Sequence, residues 1–81
     1  MLHRALLAAR DLWTRGERNG DALRTAMRGV LDAEPLARAD YVSAADPETF
    51  LEVAVAHGAV RLSLAVFLGR ARLIDNLLLD D

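Results

Sequence analysis

From Val60 to Leu68 the chain alternates strictly: Val60, Leu62, Leu64, Val66 and Leu68 point one way, and Arg61, Ser63, Ala65 and Phe67 point the other. That period of two is the pattern of a strand with one buried face, and no helix can satisfy it. The run stops at Gly69-Arg70, where glycine supplies the positive φ that a primed hairpin turn demands, and a second strand returns through Ala71 to Leu79. On that return strand Leu73 and Asp75 share one face, while Arg72, Ile74 and Asn76 share the other.

The first third of the chain has a different period. Leu2, Leu6, Ala9 and Trp13 recur at helical spacing, with Ala5, Ala8 and Leu12 widening the stripe and Arg4, Arg10, Asp11 and Arg15 falling mostly elsewhere. This predicts a helix of about four turns. Gly16 and the Asn19-Gly20 pair end it, since both residue types tolerate the left-handed backbone that follows a helix. Asp21 is expected as the N-cap of a second helix. Leu23, Ala26, Met27, Val30 and Leu31 form the apolar face of that helix, with Arg24, Thr25, Arg28 and Asp32 left for solvent. Pro35 stops it. A short connection makes the two helices an antiparallel hairpin, and neither can bury its stripe alone.

Between Pro35 and Val60 the signal is weaker. Tyr41 to Ala45 reads as a strand, and Asp46-Pro47-Glu48-Thr49 reads as a turn leading into a short helical piece through Phe50, Leu51 and Val55. Ala54, Val55 and Ala56 fit either strand or helix. The expected architecture is α+β: an antiparallel helical hairpin packed on one face of a small three-stranded antiparallel sheet. The terminal Leu77-Leu78-Leu79 run is either core or interface.

Composition bounds what this domain can do. At 81 residues it holds one core and buries roughly 60 to 65% of the surface its unfolded chain exposes. Hydrophobic residues at 53% against 27% charged place it outside the disordered regime. A net charge of -2 argues against nucleic acid as a partner. All 10 basic residues are arginine, which we read as compositional bias of the genome. The absence of cysteine removes disulfides, thiolate metal sites and cysteine nucleophiles together, and fits a cytoplasmic location. Arg10 and Asp11 interrupt the apolar N-terminal stretch before it reaches the length of a signal peptide or membrane span.

Few residues suggest chemistry. His3 and His57 have no neighbour in sequence at metal-ligand or nucleophile-base spacing; His3 reads as a solvent-facing or capping residue, and His57-Gly58 as the end of a segment before the long strand. Gly16, Asn19 and Gly20 precede a helix N-terminus, where anions are favoured, but Asp21 would repel a phosphate and no nucleotide-loop pattern is present. The polar cluster that solvation explains least is Arg72, Asp75 and Asn76. An inward Asp75 beside Leu73 is costly unless hydrogen-bonded or paired. It either satisfies backbone amides or an arginine, setting the register, or faces another domain.

Gly69 followed by Arg72-Leu73-Ile74-Asp75-Asn76 resembles the end of a pantothenate synthetase, and the likeness extends to Asp40-Tyr41-Val42, Asp46-Pro47-Glu48-Thr49 and Gly58-Ala59-Val60-Arg61 in that order. Ala71 departs from the threonine or valine common there. The resemblance implies that residues 1–81 form a single C-terminal domain, the lid of an ATP-dependent ligase that condenses pantoate with β-alanine through a pantoyl-adenylate. It implies an N-terminal Rossmann-like domain as partner, which holds ATP and magnesium through HxGH and Met-Ser-Ser-Arg-Asn elements, neither of which occurs here. On this reading the full enzyme is a cytoplasmic homodimer, while the 81 residues carry no catalytic, cofactor or metal ligands, are inactive alone and self-associate. Gly69, Arg72, Leu73, Ile74, Asp75 and Asn76 are then structural or domain-interface residues. The competing expectation is a free-standing protein-interaction module that kept this fold.

Overall fold

The helical period at the start of the chain becomes helix α1, Leu2–Thr14. Ala5, Leu6, Ala9 and Trp13 face inward and are buried, as their spacing requires. The chain leaves the helix through Gly16, whose φ of 102° suits glycine alone. Arg18 then folds back, its guanidinium 3.6 Å from the centre of the Trp13 ring and its Nη1 donating to the Trp13 carbonyl at 2.8 Å. This computed structural model describes residues 1–80.

Helix α2 spans Gly20–Asp32. Its N-cap is Asn19 rather than the expected Asp21: the Asn19 side chain accepts the Ala22 amide at 3.0 Å. The shift has a tertiary cause, because the Gly20 amide is held by the Ala54 carbonyl at 2.8 Å and the helix therefore starts there. Asp21 lies in the first turn, where a carboxylate still suits the helix dipole. Leu23, Met27 and Leu31 are fully or almost fully buried.

The sheet consists of β1 (Ala37–Ala45), β2 (Val60–Leu68) and β3 (Ala71–Leu79), antiparallel in the order β1-β2-β3. The helical hairpin covers one face, as the α+β pattern predicts. Val60, Leu62, Leu64 and Val66 meet the helices together with Val42, Ala44 and Leu79, and each such leucine or valine contributes about 1.5 to 3 kcal/mol by leaving water. Leu68 and Ala71 pair directly across Gly69-Arg70. Of the two central residues only Gly69 has positive φ, 63°, the pattern of a type II′ turn.

Strand β1 begins four residues before the expected Tyr41. Its alternation is interrupted by a bulge at Asp40, between Ala39 opposite Val66 and Tyr41 opposite Ala65. Inward positions change there from Ala37 and Ala39 to Val42 and Ala44, and a period of two cannot be read across that step.

The segment from Leu51 to Val55 is not the expected helix but runs alongside other backbone through single bridges, and Phe50 before it has a positive φ. Val53 donates to the Ala44 carbonyl at 3.0 Å, and Ala56 donates to the Arg18 carbonyl at 2.8 Å. Single bridges join Ala45 to Glu52 and Asn19 to Val55. One edge of β1 and the connection between the helices both present unpaired backbone groups here, and this segment satisfies both at once. The same segment closes part of the β1 edge against further strands.

Candidate functional site

The sheet face turned away from the helices carries Arg72, Ile74 and Asn76 of the motif, while Leu73 and Asp75 fall on the helix side. Cross-strand register places Tyr41, Ala65 and Ile74 in one row and Ser43, Ser63 and Asn76 in the next. Tyr41, Arg61, Ser63, Ile74, Asp75 and Asn76 line a hollow of about 180 Å³ on this surface. Ala65, in the row between Tyr41 and Ile74, is fully buried, while Ile74 is 65% exposed.

Each motif residue has a defined place. Gly69 makes the turn. Arg72 reaches across the middle strand to Asp40, its Nε and Nη2 donating to one carboxylate oxygen at 3.1 and 3.0 Å. This pair ties the two outer strands together, and the guanidinium also lies 5.9 Å from the centre of the Tyr41 ring. Leu73 faces Val66 on the helix side and Ile74 faces outward. Asn76 accepts from Arg61 Nη1 at 2.8 Å.

Asp75 is half-buried opposite Leu64, and its Oδ1 accepts the Asn76 amide at 2.8 Å. The ladder explains why that amide needs a partner. Leu68 and Ala71 flank a two-residue turn and exchange both hydrogen bonds, so in steps of two Leu73, Asp75 and Leu77 bond to β2. The amides of Arg72, Ile74 and Asn76 consequently point to the open edge of β3. Asp75 occupies one of them.

The Asp40 partner was not readable from sequence, because the bulge that turns it toward Arg72 leaves no periodic trace. Arg61 and Ser63 did carry a signal: they are polar positions on the outward face of the central strand. Tyr41 shares that face beyond the bulge.

A second polar cluster lies on α2. Arg24, expected in solvent, has a side chain only 19% exposed. It donates to Glu52 Oε1 at 2.8 Å, to Asp21 at 2.8 Å and to the carbonyls of Ala44 and Val53. Glu52 also accepts from the Ser43 hydroxyl and, at 3.1 Å, from the Ala44 amide. Burial raises the Glu52 carboxyl, but the hydrogen bonds from Ser43, Arg24 and Ala44 outweigh it and hold the group below its ordinary value of 4.5. The amides of Thr49 and Glu48 lower Asp46 in the same way.

The sign follows from linkage. A carboxylate with a depressed folded-state pKa contributes stability that is complete above its unfolded value and lost as pH falls through the folded one. Thermal unfolding followed by circular dichroism should therefore show Tm falling as pH drops below about 4.5, and Glu52→Gln should flatten that slope. An equally steep slope in the variant would show that Glu52 does not carry it.

His3 and His57 are exposed. No three His, Cys, Asp or Glu side chains come together as a metal set among the described residues. No helix among them is long and apolar enough to cross a membrane.

Comparison with known proteins identifies the family. The family model described as Pantoate-beta-alanine ligase matches residues 1–78. The pantothenate synthetase of Roseiflexus sp. (strain RS-1) is 55% identical over 80 residues, covering 99% of this chain and 29% of the relative. That of Chloroflexus aurantiacus is 50% identical over 82 residues, again 29% of its length. A crystal structure of pantothenate synthetase from Thermus thermophilus superposes with a TM-score of 0.85 at 37% identity, covering 94% of this chain and 27% of that one. The chain thus spans less than a third of the relatives it matches. Its unbroken match to the family model and the superposed fold show that it belongs to the pantoate-beta-alanine ligase family.

Proposed function

We propose that these 81 residues are the C-terminal lid of a ligase that joins pantoate to β-alanine through a pantoyl-adenylate. The observation that carries this reading is coverage: similarity runs through 99% of the chain yet accounts for only 29% of the Roseiflexus relative. The remainder of the ligase is then the partner of this domain, and it holds ATP and magnesium. The residues here do not fit those groups. No acidic set gathers among the described residues. The hollow of about 180 Å³ is smaller than the roughly 300 Å³ at which ligand pockets begin. The lid closes over the adenylate, excludes water and contributes shape. The assembled enzyme is a cytoplasmic homodimer. The isolated domain self-associates through apolar residues that stand exposed on it, Ile74 and Phe50 among them.

A hybrid enzyme tests this. The matched 80 residues of the Roseiflexus synthetase are replaced by this chain, and pantothenate formation from pantoate, β-alanine and ATP is assayed. The expected kcat/KM lies within about tenfold of the parent, a change of no more than ~1.4 kcal/mol in transition-state stabilisation. A folded hybrid without activity would overturn the ligase reading and favour the interaction module.

A further inference from the structure

The helices are shorter than the sheet they cover. Each helix has 13 residues and each strand nine. At ordinary rises these span about 20 Å and about 30 Å. At the end holding Trp13, the cover is completed by Arg18 and the segment around Val53 and Ala56. The uncovered length therefore falls at the hairpin end.

The side chains there show it. Leu68 and Leu73 continue the inward-facing rows that contain Val66, yet they are 39% and 38% exposed while Val66 is fully buried. Leu36, which leads into β1 at the same end, is 80% exposed. By register, Leu68 and Leu73 are core positions without a cover. The start of α1 lies at this end too: Arg4 donates to Glu34 at 3.2 Å just after α2, and Met1 packs against the core.

We propose that the stretch leading into α1 in the longer relatives lies across Leu68 and Leu73 and completes the layer over the hairpin end of the sheet. The inference rests on the reading of this chain as the C-terminal part of a ligase, in which the rest of the polypeptide arrives through residue 1. The relatives have the material: the match takes up only 29% of their length. The occupant is a segment with an apolar underside, because the surface it meets is leucine and alanine. The outer sheet face differs, since arginine, serine and asparagine are interleaved with its apolar groups. Burying Leu68 and Leu73 would extend one continuous core, whereas covering the outer face would require new partners for Arg61, Ser63 and Asn76.

The chain has no cysteine, so single thiols report cover directly. Leu73→Cys and, on the outer face, Leu78→Cys are made both in the 81-residue chain and in the Roseiflexus hybrid. The hybrid without an added cysteine gives the background, and a maleimide dye is the probe. Cys at 73 should label about tenfold more slowly in the hybrid than in the short chain, and Cys at 78 should label at the same rate within about twofold. Equal rates for position 73 in both proteins overturn the inference, as does slowing at position 78 alone. If Leu73→Cys does not fold, Leu68→Cys, in the same inward-facing rows and 39% exposed, gives the same readout. A hybrid that makes pantothenate while position 73 labels freely sinks this inference alone; one that makes none sinks the ligase reading.

Discussion

A Gly20→Ala chain is expected to lose about 3 kcal/mol or more of folding stability, a large share of the roughly 4 to 12 kcal/mol available to a domain of this size. A Cβ at this position would sit 2.0 Å from the Val53 carbonyl oxygen and 3.0 Å from both the Val53 carbonyl carbon and Arg24 Nη2. The nearest atoms belong to backbone, which cannot swing aside as a side chain can. Relief requires the segment around Val53 to withdraw, stretching the Gly20 amide to Ala54 carbonyl bond and the Val53 amide to Ala44 carbonyl bond. The helix-propensity gain of alanine, at most about 1 kcal/mol, is too small to offset that loss. Gly29 supplies the control. It lies inside the same helix, and a Cβ added there would meet nothing within 4 Å, so Gly29→Ala should stabilise by about 0.5 to 1 kcal/mol. Urea denaturation by circular dichroism checks both. Equal midpoints for Gly20→Ala and the parent would show that the close approach is not structural.

Arg24→Met should cost about 2 to 4 kcal/mol. Methionine keeps most of the packing of the aliphatic stem, so the loss isolates the guanidinium. The Asp21 partner is 91% exposed and accounts for only a few tenths of a kcal/mol. The rest comes from Glu52 and from the Ala44 and Val53 carbonyls, which lose a charged donor in a half-buried setting. Amide exchange should accelerate at Val53 and Gly20, the bonds that hold the segment around Val53 to β1 and α2. Combining Arg24→Met with Glu52→Gln should cost less than the sum of the two alone, because both remove one interaction. Strict additivity would separate the arginine from the carboxylate.

The two predictions converge on one region, where the connection between β1 and β2 passes between the sheet edge and the start of α2. That region was the least readable stretch of the chain. Asp46-Pro47-Glu48-Thr49 announced a turn, and Asp46 does accept the Glu48 and Thr49 amides at 2.8 and 3.0 Å. The path of the chain beyond that turn depends on groups far away in sequence, the carbonyls of Ala44 and Arg18 and the side chain of Arg24. Phe50 adopts a φ of 62° there, which a propensity argument disfavours for an aromatic residue.

Features governed by local period were present in the amino-acid order. Two helical stripes, the strict alternation of β2 and a glycine at a two-residue turn each express a constraint between near neighbours. They sufficed for the α+β class, the helical hairpin and the β2–β3 pairing. The motif from Arg72 to Asn76 was visible as a pattern, but its contacts were not. Arg72 meets Asp40 from 32 residues away, and only because a bulge turns β1 at that point. The glycine at 20 has the look of half a turn in the sequence, and only the fold sets Val53 against it. Tertiary packing likewise chose Asn19 as the helix cap, drew Arg24 out of solvent and left Leu68 and Leu73 beyond the reach of the helices. Each of these is set by which backbone groups remain unpaired once the elements meet, a quantity that exists only after the chain has folded.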